Sequence, residues 1–268
     1  MSKDPWSLDE LDLDGYLKRV GLTTQPPSLV ALGELHEAHV RTFTFDNIDV
    51  ILDQHPGVSL EAVQEKFVGR GRGGYCFEHS TLFAAVLERL GYRVRRQLGR
   101  VVEARTHMTV GVLLGDRWWL CDPGFGMSVI RPIPMEDGRV VDHYGWRSKI
   151  VRLPDLPGWE LYRQHDGDWA QLHTIDELRV EPVDPEVAHH YTYTHPGSLF
   201  RSRLMIARYL PDEHVTVTES TVTIRRAGRP TKQRDLKHGE LTHWLRVLQV
   251  PLTFDEQERL VARAAELA

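Results

Sequence analysis

Cys76 stands at a point in the sequence where a thiol could act as a nucleophile. The stretch Arg70 to Phe83 reads RGRGGYCFEHSTLF, so glycines precede the cysteine and a helical pattern follows it. The first turn of a helix has unpaired backbone N–H groups and the positive end of the helix dipole, so we expect this position to lower the thiol pKa. A structural cysteine would more naturally lie on the apolar stripe with Phe83 and Leu87. Cys76 is therefore the candidate nucleophile.

Two further residues have the types that a thiol nucleophile needs as base and orienting group. His107 begins the strand-like run after Arg105, and Asp122 ends the run WWLCD. A Gly-Asp pair at positions 115 and 116 predicts a tight turn between the two runs. Antiparallel pairing would place His107 across from about Asp122 or its neighbour, while strand alternation turns Cys121 to the other face. The sequence thus predicts a triad of Cys76, His107 and Asp122.

Helices dominate the first part of the chain, because its apolar residues recur at helical spacing. Short strand-like runs follow from Tyr92, and the last third mixes strands such as STVTIRR with two terminal helices. The second terminal helix begins with Thr253 and Glu256 at the spacing of a capping box. The predicted N-terminal helices cover about Asp12 to Val20 with Gly21 as the stop, the segment after Pro27, the segment from Leu60 to Phe67, and Cys76 to Leu90.

Composition excludes several classes of protein. The 268 residues carry 33 basic and 38 acidic side chains, a net charge of -5 that gives no general attraction to nucleic acid or to anionic membranes. No apolar run approaches the roughly 20 residues of a membrane helix, and the N-terminus lacks a signal-peptide pattern. Two cysteines are too few for a disulfide framework. We therefore expect a cytoplasmic protein with no nucleic-acid or membrane partner, although local arginine clusters leave a small anion site open.

Two other patterns are set aside. The glycines at 69, 71 and 74 satisfy GxGxxG, but a dinucleotide fold requires a strand before them, where this sequence predicts a helix. Histidine pairs at 36 and 39 and at 189 and 190 lack the spacing and the third ligand of a zinc site. We expect the first pair to be surface or packing residues and the second to point apart on a strand, so no metal site is predicted.

The stretch Arg72 to Glu78, RGGYCFE, resembles the active-site signature of the arylamine N-acetyltransferases. Other segments agree with that family in order, so the resemblance extends over most of the chain. These segments are YLKRVGL near the N-terminus, HEAHVRTFTFDNID from His36 to Asp49, TH at Thr106, DPGFG from Asp122 to Gly126, and THPGSLF from Thr194 to Phe200.

The resemblance implies an α+β fold with a cysteine-protease-like triad core. Residues 1–91 would form an N-terminal helical bundle that carries the nucleophile. Residues 92–185 would form a β-barrel-like domain with the histidine and aspartate of the triad, and residues 186–268 an α/β lid.

The resemblance also implies the reaction. Acetyl-CoA would donate an acetyl group through an acyl-cysteine, in a ping-pong sequence, to arylamines, arylhydroxylamines or hydrazines, with no metal. Phe45 and Phe125 would line the acceptor cleft, and Gly124 and Gly126 would let the pantetheine arm approach the backbone.

Two departures from the family pattern bear on selectivity. The usual PFENL is TFDNI here, and the connection from Val101 to His107 is shorter than usual. Amide synthases that release a polyketide from an acyl carrier protein by macrolactam formation are similar in sequence, so this activity stays open as an alternative. A non-catalytic binding module with the same fold is the second alternative.

Overall fold

The N-terminal part of the chain folds into helices, as its apolar spacing predicts. The computed structural model describes residues 4–127 and 129–268. Helix α1 begins after Asp12, whose carboxylate accepts a hydrogen bond from the Gly15 amide at 2.9 Å, and ends at Gly21, whose φ of 75° suits glycine. The helices of this part are α1 (Leu13–Val20), α2 (Leu29–Thr42), α3 (Ile48–Ile51), α4 (Leu60–Gln64) and α5 (Cys76–Arg89), with a 3-10 turn at Leu8–Glu10 and a π-helical turn at Glu65–Gly69.

Helix α5 lies at the centre of this bundle. Its residues from Cys76 to Leu87 are buried, and its apolar side chains pack in one core with side chains of the other helices, among them Tyr16, Leu32 and Phe67. The burial of a whole helix fixes its position on all sides. The residue at its start is therefore held by the core of the protein.

The middle of the chain forms two antiparallel sheets. The first contains β2 (Arg93–Val101), β3 (Ala104–Leu114), β4 (Arg117–Cys121) and β5 (Ile133–Pro134), and the second β6 (Val140–His143), β7 (Trp146–Arg152), β8 (Gly158–His165) and β9 (Asp168–Asp176). The sheets meet where Gly99 of β2 approaches Thr174 of β9, so closely that a Cβ at Gly99 would lie 1.8 Å from the Thr174 carbonyl oxygen. Both sheets are open, and the described residues form no closed barrel, which corrects the expected β-barrel-like domain.

The hairpin of β3 and β4 confirms the predicted turn but not the predicted register. The last residue pair of the β3–β4 ladder is Val110 with Cys121. His107 lies three residues before Val110 in the chain, outside this ladder, and it pairs with Gly99 on β2. His107 and Asp122 thus meet diagonally beyond the end of the ladder. As strand alternation predicts, Cys121 packs into the core of the helical bundle.

The C-terminal part contains a five-stranded antiparallel sheet. Its strands are β10 (Met205–Tyr209), β11 (His214–Thr218), β12 (Thr221–Arg225) and β13 (Lys232–Asp235), and β1 (Phe45–Asp46) from the N-terminal part joins its edge. Four helices accompany it: α6 (Val183–Thr194), α7 (Leu199–Ser202), α8 (Leu241–Val247) and α9 (Phe254–Leu267). The capping box predicted at Thr253 and Glu256 is present. The domain limits and the lid role stay predictions.

The loop that leads into α5 is held by backbone contacts with β1. The Asp46 amide donates to the Gly74 carbonyl at 2.7 Å, and the Gly74 amide donates to the Thr44 carbonyl at 3.2 Å. A Cβ at Gly73 would lie 1.8 Å from the Thr44 carbonyl oxygen, so only glycine fits there. Gly73 is therefore required by this close approach.

A buried ion cluster holds the first turn of α5. The Glu78 carboxylate accepts from the Tyr75 amide at 3.0 Å and from Lys66 Nζ at 2.7 Å. Lys66 also contacts Asp49 at 2.6 Å, and Asp49 accepts from Arg72 at 3.0 Å. Burial acts to raise the pKa of Glu78, but Lys66 and the neighbouring His55 hold it well below its usual range. Glu78 therefore couples the start of α5 to the rest of the bundle through its charge.

Among the described residues, no helix is both long enough and apolar enough to span a bilayer.

We expect Glu78→Gln to lower the free energy of unfolding by about 3 kcal/mol. This is the lower end of the range for a broken buried ion pair, because Lys66 keeps Asp49. Urea unfolding followed by circular dichroism measures the change. The matched control is Glu266→Gln, which removes an exposed partner of Arg263 and should change stability by less than about 1 kcal/mol. Equal stability of both variants would contradict a role of the Glu78 charge.

Candidate active site

A cavity of about 620 Å³ opens where the three parts of the chain meet. Six of the seven predicted site residues line it, and the seventh, Asp122, lies buried behind His107. The rest of the wall comes mainly from the β2–β3 turn, from α6 and the segment after it, and from the C-terminal sheet. The six predicted residues in the wall are Phe45, Cys76, His107, Gly124, Phe125 and Gly126.

The first turn of α5 presents Cys76 to this cavity, where its side chain is nearly buried. The residue is 4% exposed, and its Sγ donates to the Thr106 carbonyl at 3.5 Å. Ser80, one turn further along the helix, donates to the Met108 carbonyl at 2.7 Å and so fixes α5 against β3. The thiol therefore lies beside the segment of β3 that carries His107.

Burial raises the pKa of the Cys76 thiol to about 12, although backbone N–H groups of Met108 and Phe77 act in the opposite direction. The predicted lowering of this pKa is therefore wrong for the protein in this state. The helix start does supply an amide to the sulfur, as expected, but loss of water outweighs it. Cys76 is held here as a neutral thiol.

His107 and Asp122 form a buried hydrogen-bonded pair. The His107 Nε2 lies 3.1 Å from the Asp122 Oδ1, and both side chains are at most 1% exposed. Burial acts to raise the pKa of Asp122, but His107 and His173 together hold it well below its usual range, so the carboxylate is ionised. Burial lowers the pKa of His107, and the opposing effect of Asp122 does not reverse this.

These contacts fix the tautomer of His107. An ionised carboxylate only accepts hydrogen bonds, so the Nε2 of His107 carries the proton that it donates to Asp122. The other ring nitrogen, Nδ1, is then the lone-pair nitrogen of a ring that lines the cavity together with Cys76. This arrangement can take a proton from a thiol in the cavity.

Two further histidines hold Asp122, and sequence reasoning assigned a role to neither. His36 of α2 accepts from the Asp122 amide at 3.1 Å through Nε2 and donates from Nδ1 to the Ile130 carbonyl at 3.0 Å. Burial lowers the pKa of His36 to about 4, so the ring stays neutral. His173 of β9 lies with Nε2 2.9 Å from the Asp122 Oδ2. No local pattern marks His173, because it lies 51 positions along the chain from Asp122.

His107, Asp122 and His173 also have ligand atoms within 4.8 Å of one another, a spacing that could hold a metal ion. In this structure the same nitrogen and oxygen atoms are joined by hydrogen bonds of 3.1 and 2.9 Å. The cluster is thus explained by hydrogen bonds among its members.

The histidine pairs set aside earlier have their own partners. His36 and His39 are buried packing residues, which is one of the two alternatives that the sequence left open. His39 lies between Tyr16 and His79. His189 and His190 lie on helix α6, so the expected strand is wrong.

The glycines of the segment after Asp122 are required by the packing of the protein itself. A Cβ at Gly124 would lie 2.8 Å from the Cys76 Cα, so glycine lets this segment pack on the start of α5. Gly126 has a φ of 73° and lies against the Phe45 ring. Approach of a pantetheine arm to these two positions stays a prediction.

The short connection from Val101 to His107 lies at the mouth of the cavity, as the sequence predicts. It forms a tight turn whose Val102 is 92% exposed and has a φ of 57°. Positions 101 to 104 all line the cavity.

Comparison with known proteins identifies the family. A family model described as N-acetyltransferase matches residues 28–255. An arylamine N-acetyltransferase from Mycolicibacterium smegmatis is 36% identical over 232 residues, which cover 81% of this chain and 84% of that protein. The chain belongs to the arylamine N-acetyltransferase family. This confirms the resemblance that the sequence motifs indicated, and it makes the protein an acetyltransferase.

Solved structures of this family have the same fold. The arylamine N-acetyltransferase of Mycobacterium abscessus is similar to this chain with a TM-score of 0.92 and 31% identity, covering 99% of both chains. That of Mycobacterium marinum, solved in complex with CoA, gives a TM-score of 0.89 and 31% identity over 96% of this chain and 100% of that one.

We expect the pH dependence of Cys76 alkylation to report the lowered pKa of His107. Because burial lowers the pKa of His107 from its ordinary value of 6.5, the acid limb of the pH–rate profile, where the rate falls as the ring is protonated, should lie below that value. The measurement is the rate of iodoacetamide alkylation against pH in a Cys121→Ala background. A limb at or above pH 6.5 would mean that burial does not control the protonation of His107.

Proposed function

We propose that this enzyme moves an acetyl group from acetyl-CoA to the nitrogen of arylamines, arylhydroxylamines or hydrazines through an acyl-Cys76, in a ping-pong sequence in the cytoplasm. The observation that carries the proposal is the common cavity wall of Cys76 and His107, with the ionised Asp122 directly behind His107. Family membership supports the acetyl transfer, and the CoA complex of the Mycobacterium marinum relative supports a CoA thioester as donor.

In the first half-reaction, the Cys76 sulfur attacks the thioester carbonyl while the thiol proton passes to the Nδ1 of His107. A thiol with a raised pKa makes this transfer concurrent with the attack. Asp122 stabilises the imidazolium that forms. The tetrahedral intermediate then expels the CoA sulfur, which takes the proton from His107. The products are acetyl-Cys76 and free CoA with a neutral thiol.

In the second half-reaction, the nitrogen of the acceptor attacks the acetyl carbonyl and His107 receives the proton that this nitrogen loses. Collapse of the second intermediate forms the amide, and the Cys76 sulfur leaves and regains a proton from His107. The backbone amide of Cys76 is the proposed donor to the oxyanion in both steps. The enzyme returns to its starting protonation state.

The cavity wall suits these substrates. Phe45 and Phe125 line the cavity with aromatic rings that suit an aromatic acceptor. Further apolar lining comes from Val102 of the turn and from Leu199 and Phe200 of α7. The volume of about 620 Å³ exceeds what an acetyl group needs, which leaves room for the arm of the donor or the ring of the acceptor.

Incubation with acetyl-CoA alone tests the covalent step. We expect intact mass spectrometry to show one added acetyl group on the wild-type protein, none on Cys76→Ser, and one on Cys121→Ala. The control is suitable because Cys121 is a buried cysteine that lines no part of the cavity. An adduct that persists in Cys76→Ser would show that another residue carries the acyl group.

We expect the short Val101 to His107 turn to admit bulkier acyl groups or acceptors than a long loop does. The turn forms one wall of the cavity mouth, and rim loops commonly set selectivity. Specificity constants for acetyl and longer acyl thioesters, with a small and a large arylamine, are compared between the wild type and a variant with a long family loop grafted in. An unchanged ranking of the specificity constants would contradict a role of this turn in selectivity. It would also remove the support that the short turn gives to the alternative function, an amide synthase that takes its substrate from an acyl carrier protein.

A further inference from the structure

His173 occupies a place that the three-residue mechanism does not account for. Its Nε2 lies 2.9 Å from the Asp122 Oδ2, while the Oδ1 of the same carboxylate accepts from His107 at 3.1 Å. The side chain of His173 is fully buried, and its ring centroid lies 4.2 Å from that of His107. The two oxygens of Asp122 thus contact two different imidazole rings, and one of these rings, that of His107, lines the cavity.

The contacts of His173 indicate which protons its ring carries. Its Nδ1 lies 3.2 Å from the Thr174 carbonyl oxygen, so both ring nitrogens face acceptors. A neutral imidazole has one N–H and can donate to only one of them. A ring that donates to both acceptors carries two N–H groups and a positive charge beside Asp122.

Such a ring would act on His107 in two ways. Its hydrogen bond holds the second oxygen of Asp122, so the carboxylate cannot rotate and its first oxygen stays directed at His107. Its charge offsets part of the Asp122 charge, so a second positive charge on His107 is less favourable. The presence of His173 accordingly lowers the pKa of His107, while Asp122 raises it.

The ring of Phe125 packs against the rings of both histidines. Its centroid lies 5.1 Å from that of His107 and 4.8 Å from that of His173. The titratable groups that act on the pKa of His107 are Asp122, which follows β4, and His173 on β9, while Cys76 of α5 lines the same cavity. Glu78 of α5 is engaged with Lys66, and Arg105 of β3 with Asp176 of β9.

We propose that His173 is a positioning residue of the acyl-transfer site, which holds the second oxygen of Asp122 and so sets both the orientation and the protonation of His107. The inference rests on the proposed function, because it assigns His107 the role of base. It adds a fourth side chain to the triad and makes β9 of the second sheet part of the active site.

Two substitutions of His173 separate its effect on the orientation of His107 from the effect of its charge. His173→Gln keeps an N–H donor near the position of Nε2 but carries no charge, and His173→Phe removes both. The matched controls are His165→Gln and His165→Phe, on the adjacent strand β8 and outside the cavity wall. The readout is the pH profile of iodoacetamide alkylation of Cys76 in a Cys121→Ala background, which requires no acyl donor. A wild-type protein that is alkylated but forms no acetyl adduct would count against the proposed function alone.

We expect both His173 variants to move the acid limb to higher pH, because His107 is more easily protonated without a neighbouring positive charge. His173→Phe should also lower the plateau rate by about 10- to 100-fold, the effect of one hydrogen bond to a charged group, whereas His173→Gln should keep it. Neither His165 variant should change the profile.

An unmoved limb in a folded His173→Gln protein would overturn the proposal, even if His173→Phe did not fold. Equal plateaus for the folded Gln and Phe variants would overturn the orientation role.

Discussion

The buried negative charge of Asp122 is the constraint on which this active site depends. A carboxylate without water is tolerated only when hydrogen bonds surround it. Here two side chains supply them, because His107 from β3 donates to Oδ1 and His173 from β9 lies against Oδ2. Both open sheets therefore meet at this charge, while His36 from α2 accepts from the backbone amide of the same residue. The orientation of His107 follows from that convergence.

A second buried charge fixes the position of Cys76. Glu78 is two residues after Cys76 on α5, and its contacts with Lys66 and with the Tyr75 amide hold the first turn of the helix. The thiol is then placed in a buried site that disfavours its ionised form, beside an imidazole that is also disfavoured in its charged form.

The sequence predicted the features that depend on local pattern. The helix stop at Gly21, the capping box at Thr253, the helix that starts at Cys76 and the turn before β4 are all present, because neighbouring residues determine them. The same local reasoning brought the three triad residues to one place, with Cys121 turned away. Family motifs supplied four further residues of the cavity wall, namely Phe45, Gly124, Phe125 and Gly126.

Features that depend on distant parts of the chain were missed. The hairpin ladder ends at Cys121 because Asp122 leaves it to meet two histidines, which alternation along the strands does not reveal. The pKa of Cys76 follows from burial by all three parts of the chain, which outweighs the effect of one helix end. His173 belongs to a different sheet from His107, and the contact between β2 and β9 joins the two sheets. The expected barrel instead forms two open sheets.

The measurement that tests this account most directly is acetyl transfer by Asp122→Asn. Asparagine has one oxygen and one NH2 group, whereas both histidine rings need an acceptor at this position. His107 therefore loses either the tautomer with the proton on Nε2 or its orientation. We expect a folded protein whose rate of acylation by acetyl-CoA falls by roughly 10⁴-fold, as when a triad aspartate is replaced. A folded Asp122→Asn protein that is acylated at nearly the wild-type rate would contradict it.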